Sequence, residues 1–316
     1  MEKKSMELNK VYQGHALDVL KRMKPEIIDC VVTSPPYWGL RSYGTEPQVW
    51  DAKEGCELGL EPTFQLYLQH LFQIFDGVKR VLKPTGTCFV NLGDSYGGSM
   101  SGEIEDSKAA QHGTGTTSLK MQKPGAKLLQ KSLIGIPERF AIGMTDRGWI
   151  RRNTIVWHKR NCMPSSITDR FTVDFEYVYF FVKQKKYYFK QQFEPNQYDG
   201  RKDTRFKGSI KYKDSGHTFH AQGHERWPHK EGRNMRCVWD VPTKPFKGAH
   251  FATFPTALVE RMVKAGCPEN GLVCDPFCGS GTVWLVSKQL NRNFVGIELK
   301  PDYVKLAEQR MKNEQP

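Results

Sequence analysis

The run Val273-Cys274-Asp275-Pro276-Phe277-Cys278-Gly279-Ser280-Gly281-Thr282 constrains the fold of this chain more than any other segment. A short apolar stretch enters a turn with two closely spaced glycines, and Val283-Trp284-Leu285-Val286 continues as the start of a helix. Glycines at 279 and 281 let the backbone approach a ligand closely, and the helix N-terminus behind them offers unpaired N–H groups. Glu298 ends the next strand, 23 residues after Asp275, where doubly wound folds put an acidic residue on ribose hydroxyls. The turn alone leaves its ligand open, since similar turns serve NAD, FAD and nucleotides or are purely structural. The third glycine of the dinucleotide pattern and the lysine of a P-loop are both missing, so neither a pyrophosphate nor a triphosphate is favoured.

The rest of the chain alternates short β-branched runs with helical patterns, which predicts an α/β, doubly wound, Rossmann-like parallel sheet. Strands are expected at Asp29–Thr33, Thr87–Leu92, Trp149–Trp157, Glu176–Val182, Leu272–Asp275 and Phe294–Glu298. Helices are expected around Phe64–Leu82, with Leu68, Leu71, Phe72 and Phe75 on one face, near Ile136–Thr145, and at Pro255–Ala265. Pro84-Thr85-Gly86 is read as the break between the first helix and the strand after it. Residues 94–131 are rich in Gly, Ser, Thr, Lys and Gln with little apolar periodicity, and fit either a linker or a lid that orders over substrate. The length of 316 residues permits two domains; one α/β domain carrying a large insertion is the preferred reading.

Charge is unevenly spread. Of the net +13, +9 falls between Lys183 and Lys247, where 16 Lys or Arg face 7 Asp or Glu. That stretch interleaves Phe193, Tyr198, Phe206, Tyr212, Phe219, Trp227 and Trp239 with its cations and is a candidate surface for a polyanion. Eight cysteines show no Cys-x-x-Cys pair, and those in apolar runs (Cys30, Cys88, Cys274) read as small buried hydrophobes. The histidines 217, 220, 224 and 229 read as polar loop residues, so no metal is expected. No apolar run is long enough for a membrane span and no secretory leader is seen, which points to the cytoplasm.

Thr33-Ser34-Pro35-Pro36-Tyr37-Trp38 follows a buried strand directly and so falls at the carboxyl edge of the sheet, where such folds hold their reacting groups. Two prolines in series hold the Ser34 hydroxyl and the Pro35 carbonyl stiffly beside an aromatic ring. That arrangement suits an amino group. The exocyclic amine of a base is a poor nucleophile because its lone pair is delocalised into the ring, and acceptors on both N–H bonds help to localise it. Taken alone, Pro-Pro-Tyr also fits a rigid strand-end turn.

Together these residues resemble the amino-methyltransferases of DNA, specifically the permuted β group in which the catalytic motif precedes the cofactor motif. The resemblance covers nearly the whole chain and includes Val81-Leu82-Lys83-Pro84-Thr85-Gly86, Asn91-Leu92-Gly93-Asp94 and His250-Phe251-Ala252-Thr253-Phe254-Pro255. It implies catalytic roles for Ser34, Pro35, Pro36 and Tyr37, and S-adenosyl-L-methionine as cofactor, held by Asp275, Phe277, Gly279, Gly281, Thr282 and Glu298. His250, Phe251 and Thr253 are implied at its methionine end. The chain departs from the family at Gly14-His15-Ala16-Leu17, where an Asp near the cofactor's adenine is common and His15 stands instead.

The resemblance further implies a catalytic half at 1–182, a target-recognition region at 183–247 and a cofactor half at 248–316. Double-stranded DNA is the implied partner, with Arg201, Arg205, Arg226, Arg233 and Arg236 as the candidates for base contacts, since Arg presents a planar fork. A cognate restriction endonuclease is a further expected partner, and oligomeric state is left open. Ser-Pro-Pro-Tyr is more like the enzymes that act on N4 of cytosine in a flipped-out base; Asp-Pro-Pro-Tyr is more usual for N6 of adenine, which stays the alternative. Amino-methyltransferases of RNA or of protein glutamine are disfavoured by the motif order and the basic insertion. Methylation at C5 of cytosine is excluded, because that family's nucleophilic cysteine follows a proline and no Pro-Cys dipeptide exists here.

Overall fold

The computed structural model describes residues 6–39, 42, 44–45, 47–50, 55–97, 130–195, 210–211, 218–219, 232–243 and 254–313. The chain divides into two compact units, one made of Met1–Lys190 and Cys237–Pro316, the other of Gln191–Arg236.

In the larger unit β1 (Lys10–Gln13), α1 (Ala16–Arg22), β2 (Ile28–Thr33), α2 (Phe64–Val81), β3 (Leu82–Leu92), α3 (Ile136–Asp146), β4 (Ile150–His158) and β5 (Phe175–Val182) come first. The smaller unit carries two short ribbons, β6 (Phe193–Glu194) with β9 (Arg233–Asn234), and β7 (Ile210–Lys211) with β8 (Thr218–Phe219). The larger unit then resumes with β10 (Val238–Asp240), α4 (Thr256–Gly266), β11 (Leu272–Asp275), α5 (Thr282–Gln289), β12 (Asn293–Glu298) and α6 (Pro301–Asn313). Among the described residues its sheet has eight strands in the order β1-β12-β11-β2-β3-β5-β4-β10.

Seven strands run one way and β5 runs against both of its neighbours, so the sheet departs from the all-parallel expectation at one strand. The cause is local: β4 and β5 are joined at the carboxyl edge by residues 159–174 and have no crossover helix between them. Alternation along the strands sorts the core. Val31, Cys88, Val90, Cys274, Val295 and Ile297 pack with α1, α2 and α3. Cys30, Thr87 and Phe89 crowd Gly266 at the end of α4, and Phe294 stacks on Trp284 of α5, so these helices cover the opposite face. Cys30, Cys88 and Cys274 are fully buried. Strand β3 begins at Leu82, earlier than expected. Pro84-Thr85-Gly86 lies inside it, where the register against β2 shifts and a bulge tolerates the proline.

Helix α2 starts where Thr63 accepts a hydrogen bond from the Leu66 amide, and it buries Leu68, Leu71 and Phe75, with Phe72 partly buried against the same core. Of the 94–131 segment, residues 98–129 lie outside the described residues. Its two roots are clamped together, Gly97 donating to the Ser132 carbonyl at 2.8 Å and Lys131 to the Gly97 carbonyl at 2.9 Å. Among the described residues no helix is long and apolar enough to cross a membrane.

Candidate active site

Strand β2 is almost wholly buried and delivers Ser34-Pro35-Pro36-Tyr37-Trp38 to the carboxyl edge. The prolines remove two N–H groups, so the loop cannot pair with a neighbouring strand, and side chains from distant elements hold it instead. The Tyr67 hydroxyl of α2 donates to the Pro36 carbonyl at 2.7 Å, and Ser95 Oγ donates to the Trp38 carbonyl at 2.8 Å. Trp38 Nε1 donates to the Glu61 carbonyl at 2.9 Å.

The Tyr37 hydroxyl lies 2.9 Å from Asn91 Oδ1 at the end of β3 and 2.8 Å from Glu176 Oε2 at the start of β5, with its one proton shared between them. Ser34 Oγ donates to that hydroxyl at 3.4 Å. Glu176 is paired in turn with Lys159, and the Asn91 amide donates to the Tyr177 carbonyl at 2.9 Å. Burial, then the nearby Glu176 carboxylate, push the Tyr37 phenol well above its ordinary range, so it remains a donor. A Cβ on Gly93 would fall 2.6 Å from Tyr37 Cε2; glycine there admits the ring. Among the described residues the Pro35 carbonyl has no hydrogen-bond donor, while the carbonyls of Pro36 and Trp38 are both taken. Ser34 Oγ and the Pro35 carbonyl are thus two acceptors on a braced turn.

Behind this turn Glu61, buried, accepts from the Gly59 amide at 2.8 Å and meets His70 Nδ1 at 2.9 Å, and the His70 ring stacks on Trp50. Cys56, Glu61 and His70 bring their ligand atoms within 4.8 Å of one another. The imidazole–carboxylate separation is that of a hydrogen bond and is shorter than the roughly 3.3 Å expected between nitrogen and oxygen ligands on tetrahedral zinc. The group is a buried brace for the loop.

The glycine turn is held differently. Asp275 Oδ1 accepts from Thr33 Oγ1 at 2.7 Å and from the Phe277 amide at 3.0 Å, which ties the exit of β11 to the exit of β2. Burial pushes the Asp275 carboxyl up to about 7. Gly279 and Gly281 have φ of 51° and 77°, and a Cβ on Gly281 would meet that of Ala307 at 3.0 Å. Glu298 accepts from the Gly279 amide at 2.8 Å and the Lys300 amide at 2.9 Å, and burial raises its pKa. The Thr282 hydroxyl accepts from Arg310 at 3.0 Å, and Phe277 packs partly buried against the core.

The Gly14 amide donates to the Glu298 carbonyl at 2.9 Å, which sets His15 beside the turn. Its Nε2 is buried with no hydrogen-bond partner among the described residues, its ring meets Trp50 edge-on, and burial holds its pKa below the usual histidine value. An orphaned neutral imidazole nitrogen, a carboxylate at the adjacent strand end and a turn built of positive-φ glycines fit the base, ribose and amino-acid parts of S-adenosylmethionine.

The structure therefore brings Ser34, Pro35, Pro36, Tyr37, Asp275, Phe277, Gly279, Gly281, Thr282, Glu298 and His15 to one edge of one sheet. Arg233 and Arg236 lie in the smaller unit, each with Nε 2.8 Å from Glu194 Oε1. His250, Phe251, Thr253, Arg201, Arg205, Arg226 and the 217–229 histidines lie outside the described residues. Glu176, Lys159, Thr33 and Tyr67 were not legible as site residues. Thr33 stands in the motif without a visible task, no spacing rule links Glu176, Lys159 or Tyr67 to the loop, and only β-strand pairing brings Glu176 next to Asn91.

A family model described as DNA methylase (N6_N4_Mtase) matches residues 28–309. The chain is 39% identical over 312 residues to the Type II methyltransferase M.Cfr9I of Citrobacter freundii, covering 98% of this chain and 90% of that protein. It is 36% identical over 305 residues to M.SmaI of Serratia marcescens, also a Type II methyltransferase, covering 96% and 90%. In fold it is similar to PvuII DNA methyltransferase (cytosine-N4-specific), with a TM-score of 0.61 at 20% identity over 95% of this chain and 85% of that one. It is also similar to a putative DNA modification methylase from Thermus thermophilus complexed with S-adenosyl-L-methionine, with a TM-score of 0.59 at 23% identity over 97% and 94%.

Proposed function

The chain belongs to the DNA methylase family, and from that premise we propose that it methylates the N4 amino group of cytosine in double-stranded DNA, with S-adenosylmethionine as methyl donor. The observation that carries this reading is the pair of acceptors at the exit of β2, tied through Thr33 and Asp275 to the glycine turn. The cofactor supplies an electrophilic methyl carbon. Everything else falls to the chain. Ser34 Oγ and the Pro35 carbonyl accept the two amino protons, which localises the nitrogen lone pair as the N–C bond forms. One proton then leaves the product nitrogen for Ser34 Oγ as Ser34 passes its own proton to the Tyr37 hydroxyl and Tyr37 passes one to the Glu176 carboxylate, which is the final acceptor. Asp275, Glu298 and the glycine turn would hold the cofactor beside the exit of β2, and His15 Nε2, which has no partner among the described residues, would meet its adenine edge.

Serine at the head of the tetrapeptide supports cytosine, as does the cytosine-N4 specificity named for the PvuII enzyme. The smaller unit, with the basic stretch that runs through it, is the proposed target reader, its cations providing phosphate contacts. The Type II designation of the relatives supports pairing with a restriction endonuclease. The test is to incubate the protein with unmethylated genomic DNA and methyl-labelled S-adenosylmethionine, digest to nucleosides and identify the labelled species by mass spectrometry. N4-methylcytosine is expected. N6-methyladenine would overturn the base assignment, and label confined to RNA or protein would overturn the substrate.

A further inference from the structure

Residues 159–174 join β4 to β5 at the carboxyl edge, fastened on both limbs and carrying large exposed apolar side chains. On the first limb Arg160 pairs with Asp240 at the end of β10, and Asn161 donates to the Thr243 carbonyl and accepts from the Thr243 amide, both at 2.8 Å. On the second limb Asp169 pairs with Lys131 at 2.6 Å, and the Arg170 guanidinium sits 3.6 Å above the Tyr96 ring. Held on this frame, Phe171 is 97% exposed and Met163 87%, with Ile167 and Val173 exposed as well. Large apolar side chains on a fastened backbone keep a solvation cost that nothing among the described residues relieves, which marks a surface that meets a partner.

The feet of this segment are the catalytic network itself. Lys159 and Glu176 flank it and pair, and Glu176 accepts from Tyr37. The exits of β2 and β4 lie on the same edge, since β2 is parallel to β3 and both β3 and β4 are antiparallel to β5. We propose that this segment is the wedge that enters the DNA base stack and fills the space vacated by the target base, with Phe171 and Met163 as the inserted side chains. This rests on the DNA-methylation reading above. A base whose amine reaches Ser34 has left its stack, and the gap lies beside the loop that holds it. Apolar side chains are the type that fills such a gap.

The test compares parent, Phe171→Ala and Met163→Ala in single-turnover methylation of two duplexes bearing the site mapped from the parent's own products. In one the target base is paired; in the other it faces an abasic site and is already free to leave the stack. Each variant is expected to lose about tenfold or more in rate on the paired duplex and to regain nearly all of it on the abasic one, with S-adenosylmethionine affinity unchanged. Equal rates for variant and parent on the paired duplex, or the same loss on both duplexes, would overturn the wedge. A parent that methylates no DNA would overturn the underlying reading before any variant is compared.

Discussion

The two loops that leave the sheet side by side, after β2 and after β11, do neighbouring work and are built on opposite principles. The tetrapeptide loop is held by side chains. Tyr67, Asn91, Ser95 and Glu176 reach it from α2, β3, the segment after β3, and β5. The glycine turn is held by its own backbone, with two positive-φ glycines and two carboxylates that bind main-chain amides within or next to the turn. On the proposed function the loop that grips the amine needs rigid acceptors, and it borrows its rigidity from the rest of the fold. A turn that must admit a ligand against main chain needs absent side chains.

If that contrast is right, the sharpest way to expose it is to remove a support of the first loop that lies far from the second. Glu176→Ala leaves the Tyr37 hydroxyl with one acceptor fewer and Lys159, mostly buried, without its partner. A charge-assisted hydrogen bond of this kind is worth about 1.5–3 kcal/mol, and its loss from the group that positions Ser34 should lower turnover on the order of 10- to 100-fold. Cofactor affinity, measured by calorimetry, should stay within about twofold. Equal loss of affinity and turnover would show that the two loops are one mechanical unit.

The same contrast explains what the sequence disclosed. The turn's determinants sit within one strand–helix–strand unit, so Asp275, Gly279, Gly281 and Glu298 are readable as a pattern. The tetrapeptide is readable by its prolines, but its supports are not. Asn91 and Glu176 become neighbours only because Asn91 of β3 pairs with Val178 of the antiparallel β5, and one-dimensional periodicity does not report strand direction. Asp94 is a similar case. Its motif was visible but its job was not: the carboxylate accepts from the amides of Gly135 and Ile136 and so fixes the start of α3. The 84–86 break was misplaced because a proline in a bulge looks the same in sequence as a proline in a turn.

The converse variant is expected to have a smaller effect. Gly281→Ala forces a side chain into a left-handed conformation with its Cβ 3.0 Å from that of Ala307. The strain costs about 1–2 kcal/mol, which should appear as roughly tenfold weaker cofactor binding, with turnover at saturating cofactor little changed. Parallel loss of turnover at saturation would blur the distinction between the loops.

The smallest effect is expected where the loops meet, at Asp275. Its carboxyl titrates near 7 in the folded protein because it is buried, with Glu298 adding a smaller push in the same direction. Its unfolded value is about 3.9. Between these values the folded state keeps a proton that the unfolded chain has lost, so this group's stabilising contribution is full below about pH 4 and disappears as pH rises through 7. Asp275→Asn keeps an oxygen for Thr33 Oγ1 and the Phe277 amide while removing the titration. Melting temperatures taken from pH 5 to pH 8 should therefore fall more steeply for the parent than for the variant. A difference of about 3 °C or more is expected, given roughly 2–4 °C per kcal/mol for a domain somewhat smaller than this one. Identical slopes would mean that Asp275 is ionised in the fold, and the link between the two loops would then be a charged hydrogen bond and not a neutral one.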